Sequence, residues 1–102
     1  MSAEDHYLDA IAALDEGDRE TALDAARKVV ALDKEHVDSW WMIADLELPV
    51  DSAPNLKQAS KSLAACRKVI AIAPERVDAW IRGGRILADE LGMYEEALAW
   101  WQ

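Results

Sequence analysis

LDAARKVVALDKEHVDSW, residues 23–40, returns forty residues later as LAACRKVIAIAPERVDAW, residues 63–80. Leu, Ala, Arg, Lys, Val, Ala, Glu, Val, Asp and Trp stand at matching positions in the two copies. Self-similarity at a fixed period marks a unit that stacks on its neighbours, because one such unit cannot bury its apolar face alone. A chain of this kind offers a modular surface rather than one enclosed catalytic pocket.

Outward from the repeat, apolar residues recur at helical spacing, and no window alternates as a half-buried strand would. Ser2 and Asp5 predict a capping box opening a first helix, with Tyr7, Ala10, Ile11 and Leu14 on one face. Gly17 ends that helix and Asp18 caps the next, whose inner face is Ala22, Leu23, Ala26, Val29 and Val30. A third helix is expected from about Glu35 to Leu48, with Val37, Trp40, Ile43 and Ala44 inward. PVDSAP, Pro49–Pro54, is too rich in turn residues to be helical. A fourth helix spans about Asn55 to Ile72, Pro74 suits the first turn of a fifth, Gly92 closes it, and a sixth begins near Met93. The expected fold is all-α: six antiparallel helices in about three hairpins.

Composition fits. The 102 residues allow a single domain, 1–102, and 52% of them are apolar. Ala occurs nineteen times, which favours closely packed helices. No basic segment leads into an apolar run as in a signal peptide, and no apolar stretch approaches the ~20 residues that span a bilayer. A single cysteine cannot form an internal disulfide, so the expected setting is the reducing cytoplasm, with no membrane partner. The net charge of −9 is uneven: residues 1–54 hold fourteen acids and four bases, residues 55–102 six acids and seven bases. Acidic surface repels phosphate backbones, so nucleic acid is not an expected partner.

The run Ala97-Leu98-Ala99-Trp100-Trp101 carries no polar cap, although a stacked array needs one on its last unit. The favoured expectation is that the chain is part of a longer array. The alternative is self-association, a homodimer in which Trp100 and Trp101 are buried by a second copy.

The repeat resembles the tetratricopeptide repeat, a helix-turn-helix unit of about 34 residues. Trp40, Ile43 and Ala44, then Trp80, Gly83, Gly84 and Leu87, occupy its first-helix positions; Ala22 and Ala26, then Ser62, Cys66 and Pro74, occupy its second-helix positions. Tyr94, Ala97 and Trp101 match the same pattern near the chain's end. The resemblance implies hairpins stacked in a right-handed superhelix, an α-solenoid. Repeat one would cover about residues 2–34, repeat two about 35–74 with an insertion at 49–54, and repeat three about 75–102, incomplete. Three departures stand out. His6 takes the place of the first Trp, repeat two runs to forty residues, and about one extra residue precedes Tyr94.

Nothing in the chain carries the marks of catalysis. His6 and His36 lie in no metal-ligand spacing, Cys66 falls on the helix face that repeats Ala26, and Gly83-Gly84 reads as close packing rather than a phosphate loop. The carboxylates are spread along solvent faces. The expectation is a protein that is not an enzyme and binds no cofactor or metal.

Recognition is what the resemblance implies instead. The first helix of each hairpin would line a concave groove through Tyr7 and Ile11, Trp41 and Asp45, and Ile81 and Arg85. Trp41 is set apart physically: Trp40 fills the core position, and its neighbour projects about 100° away on the helix. A tryptophan outside the core is a common binding anchor. The other reading is that Trp41 packs on the PVDSAP loop or a neighbouring helix. Family members that clamp a C-terminal carboxylate use Lys and Asn on successive first helices. Here Tyr7, Ile11 and Asp45 replace those residues, Arg82 and Arg85 cannot rebuild the clamp, and Asp38 and Asp78 oppose it. The groove instead suits a basic or amphipathic segment of a protein or peptide partner.

Overall fold

The computed structural model describes residues 2–101, and every regular element among them is helical. The elements are α1 (Ala3–Asp15), α2 (Arg19–Leu32), α3 (Val37–Leu46), α4 (Leu56–Ile72), α5 (Val77–Arg85) and α6 (Tyr94–Trp100). α5 continues into a π-helical turn, Ile86–Glu90.

Local chemistry sets most helix starts. Ser2 and Asp5 form the capping box: the Asp5 amide donates to the Ser2 hydroxyl at 3.2 Å, and the Ser2 amide to the Asp5 carboxylate at 3.1 Å. Asn55 and Gln58 form a second box on α4, at 2.8 and 3.0 Å. Asp18 caps α2 by accepting from the Thr21 amide at 3.1 Å. Gly17, at φ +79°, turns the chain from α1 into α2, in a region that only residues without Cβ enter freely.

Two helix starts differ from the sequence reading, for one reason. α3 begins at Val37 and α5 at Val77, not at Glu35 and Pro74. The Trp40 indole N–H donates to the Lys34 carbonyl and the Trp80 indole N–H to the Pro74 carbonyl, each at 2.8 Å. The tryptophans thus lash each first helix to the turn before it, and Pro74 belongs to that turn. α3 also ends earlier than expected, at Leu46, where the Arg19 guanidinium takes up the carbonyls of Asp45 and Leu48 at 3.4 and 3.0 Å.

Each helix packs on the next in order, α1 on α2 through α5 on α6, so hairpins stack into an array measuring 42 × 29 × 18 Å. The seams are made of small side chains. Ala10, Ala22, Ala26, Ala44, Ala59, Ala79, Ser39, Ser62 and Cys66 all have 0% exposure. Ala26 and Cys66 are equivalent in the two sequence copies, and both are fully enclosed. Ser62 removes its own polarity by donating to the Ala44 carbonyl at 2.6 Å. On α1 the inward residues are Ala10 and Ala13, whereas Ile11 and Leu14, on the same apolar face in sequence, stay partly exposed. Alanine on α1 brings α2 close, and longer side chains are displaced sideways.

At the far end the same logic seats the last tryptophans. A Cβ on Gly83 would overlap the Trp100 ring, and one on Gly84 would overlap the Trp101 ring. Both indole N–H groups donate to the Trp80 carbonyl, at 2.7 and 3.1 Å. Trp100 also meets Trp80 edge-on at 5.3 Å between ring centroids. The sequence reading left both rings bare; here Trp100 is largely covered, and Trp101 remains 49% exposed with its N–H spent inside the chain.

Gly84→Ala should therefore lower stability by about 1–3 kcal/mol through overpacking against Trp101. In an open helix the same change would raise it by about 1 kcal/mol. Ser39→Ala should do the opposite. The Ser39 hydroxyl is enclosed with no hydrogen-bond partner among the described residues, and the equivalent residue is Ala79. A gain of about 1 kcal/mol is expected. Urea midpoints for the two variants check both signs.

Candidate functional site

The turn and loop that follow α3 are held from beneath. Glu47, just past the helix, is buried and paired with Arg27 of α2, while Arg19 binds the carbonyls of Asp45 in α3 and Leu48 just beyond it. Cations at a helix C-terminus meet the negative end of its dipole. From this root the segment Pro49–Pro54 rises beside α3. Opposite it, α5 passes into the π-helical turn, whose wider coil shows in the Leu91 amide donating to the Ile86 carbonyl at 3.0 Å.

Between these walls lies an open cleft of about 410 Å³. Trp41, Leu48, Pro49 and Pro54 form one side; Asp78, Ile81, Arg82 and Arg85 of α5, with Ile86, Asp89 and Glu90 of the π turn, form the other. The floor is apolar and the rim charged, the usual make-up of a recognition pocket.

Trp41 organises the charges. Its ring lies under the Arg82 guanidinium at 4.7 Å and the Arg76 guanidinium at 5.5 Å. Arg82 is held there by Asp45 at 2.8 Å. Arg76 is forked onto Asp78 at 3.0 and 3.1 Å and also approaches Asp38 at 3.8 Å. The hydrogen bond from Arg76 holds the Asp78 carboxyl below its usual range, and the same bond raises the guanidinium further. These pairs are largely solvated, so they orient side chains more than they stabilise the fold. Arg85, Asp89 and Glu90 form no ion pair among the described residues.

The indole nitrogens separate Trp41 from the rest. Trp40, Trp80, Trp100 and Trp101 each donate their N–H to a backbone carbonyl. The Trp41 N–H has no acceptor among the described residues, and it is not among their enclosed unsatisfied atoms. It therefore remains open to solvent or a ligand. The Trp41 ring packs on the core cluster, and it also lines the cleft.

Of the six groove residues inferred from sequence, Trp41, Ile81 and Arg85 line this cleft, and Asp45 stands beside it through its bond to Arg82. Tyr7 and Ile11 do not line it. Tyr7 instead tilts against His36 at 4.6 Å, and burial first, then the charges of Asp38 and Glu4, push its hydroxyl pKa up. Sequence reasoning missed Pro49, Pro54, Asp89 and Glu90. The PVDSAP surplus pointed at the first two, whereas no sequence signal foretold the π turn that presents the acids. A second depression of about 410 Å³, polar and alanine-lined, runs between α1 and α2 and brings together His6, Asp9, Glu16, Asp18 and Lys28.

His36 serves structure, accepting the Ser39 amide at Nδ1 over 3.3 Å as the cap of α3. No cluster of three or more His, Cys, Asp or Glu side chains suited to a metal occurs among the described residues, and no helix among them is long and apolar enough to cross a membrane.

No family model matches this chain, and a search of curated proteins finds no match either. Solved structures do match. A crystal structure of MamA aligns with 98% of this chain at a TM-score of 0.79 and 24% identity. A second MamA crystal structure aligns with 98% at a TM-score of 0.78 and 24% identity. The chain spans about half of those chains, 54% and 51%. At such identity the likeness establishes the fold alone, an all-helical stack of hairpins.

Cys66, fully enclosed, has its thiol pushed from the ordinary 9.0 up to about 11, chiefly by burial. A thiol reagent at neutral pH should label the folded chain only as fast as it unfolds. The stability tied to this thiol should be intact below 9.0 and lost as pH rises from there towards about 11, seen as a falling urea midpoint.

Proposed function

We propose that this chain is a protein-interaction module of the tetratricopeptide type, and that the cleft between α3, the Pro49–Pro54 segment and α5 takes a peptide or helix of a protein partner. The hairpins would correspond to repeats at about 2–34, 35–74 and 75–102. Stacked helical hairpins build extended binding surfaces from residues on successive helices, and fold alone does not choose the ligand. The observation that carries the reading is the free indole N–H of Trp41 beside an apolar floor, in a chain where the other four indoles are hydrogen-bonded internally.

Trp41 supplies area and a donor, Ile81, Pro49 and Pro54 supply apolar walls, and Arg85 supplies a cation with no ion-pair partner among the described residues. Asp89 and Glu90 lie near the carbonyl end of the α5–π segment, where a cation of the partner gains from both the carboxylates and the helix dipole. A segment with an apolar anchor and a basic neighbour matches this layout. Most ionisable groups around Trp41 are engaged with one another, an arrangement suited to recognition rather than to proton transfer.

Panning a displayed random-peptide library on the purified chain tests the reading. Bound clones should lose about 2 kcal/mol or more of binding free energy, about thirtyfold in affinity, with Trp41→Ala. Arg85→Ala should cost less. Clones whose affinity is unchanged by both substitutions would place recognition elsewhere.

A further inference from the structure

Two surface features have no part in the cleft. α1 carries Glu4, Asp5, Asp9 and Asp15 with no Lys or Arg, yet it exposes Leu8 at 55% and Ile11 at 37%. α4 carries Lys57, Lys61, Arg67 and Lys68 with no acid, in a chain of net charge −9. Exposed leucine on an acidic helix and an unopposed run of cations both call for an explanation.

Spacing turns each feature into a stripe. Glu4, Leu8, Ile11 and Asp15 follow one another by four, three and four residues, which puts them on one helix face. Lys57, Lys61, Ala64 and Lys68 follow the same rhythm on α4. All eight residues are exposed. Each stripe runs about 16 Å at 1.5 Å per residue, so the two are equal in length. Laid antiparallel they match position by position. Glu4 meets Lys68, Leu8 meets the small Ala64, Ile11 meets the aliphatic stem of Lys61, and Asp15 meets Lys57. None of these five charged residues has an ion-pair partner within the chain among the described residues. α1 packs on α2, and α4 packs on α3 and α5, so in one chain the two stripes belong to different hairpins.

We propose that a second copy of this chain is the occupant: the α1 stripe of one copy docks antiparallel on the α4 stripe of another. Charge complementarity selects the partner, since the same chain carries both halves. Alanine at position 64 leaves room for Leu8, and lysine stems cover apolar surface while their ammonium groups reach the carboxylates. Every copy presents one acidic and one basic half, so the contact either closes reciprocally about a two-fold axis or propagates. The interface lies outside the cleft and does not depend on how the cleft is read.

Sedimentation of the full chain and two charge-reversed variants decides the matter. Lys57→Glu with Lys61→Glu makes both stripes acidic; Glu4→Lys with Asp15→Lys makes both basic. All four sites are exposed, and circular dichroism confirms that the variants fold. The native chain should associate at up to millimolar concentration, and each variant alone should lose at least about tenfold in association constant. Mixed together, the variants should form a one-to-one complex, because the acidic stripes of the first can pair only with the basic stripes of the second. The proposal is overturned if the native chain stays monomeric, if either variant still associates as the native chain does, or if the mixture contains no heterodimer. The second outcome would move the contact to another face, such as that of Trp101.

Discussion

Helices here meet through alanine, serine, cysteine and glycine, and that close approach governs the rest of the structure. Interiors are packed to crystal density, so an indole cannot enter a seam built for a methyl group. Five tryptophans must therefore find places at the edges of the stack. Trp40 and Trp80 fold over the turns before α3 and α5 and bind their carbonyls. Trp100 and Trp101 reach the backbone of α5 because Gly83 and Gly84 leave no Cβ in the way. In each case the indole body covers apolar surface while its N–H satisfies a backbone carbonyl.

Trp41 is the exception that the same constraint produces. One position beyond Trp40, it cannot reach the turn, and the seam behind it is filled by Ile43 and Ala44. It comes to rest half-buried, with Arg76 and Arg82 over its ring and the cleft at its edge. The carboxylates that orient those arginines, Asp38, Asp45 and Asp78, come from both first helices, so Trp41 sits where α3 and α5 are tied together. The Pro49–Pro54 segment after α3 then supplies a proline wall to the cleft.

Much of this was legible in the sequence. The forty-residue echo gave the hairpins, the small buried positions and the equivalence of Trp40 with Trp80, because local periodicity and residue size determine all three. Of the residues that the family resemblance implied for a groove, Trp41, Ile81 and Arg85 converge on the cleft, and Asp45 stands at its edge. Tyr7 and Ile11 do not join them, since α1 meets α2 through alanines and Tyr7 turns to His36. Two things needed three dimensions. The π turn at Ile86–Glu90 arises where α5 gives way to the Gly92 corner, and the seating of Trp100 and Trp101 depends on glycines seventeen residues away in sequence. Helical periodicity carries no trace of either.

The claim on which this account turns is that Trp41 alone of the five keeps an indole N–H without an acceptor among the described residues. Exchange of the indole protons with water, followed by nuclear magnetic resonance on the nitrogen-15-labelled chain, measures it without any partner. One of the five indole signals should exchange far faster than the other four and should vanish in Trp41→Phe. A Trp41 signal as slow as that of Trp100, or a fastest signal belonging to another tryptophan, would contradict the account.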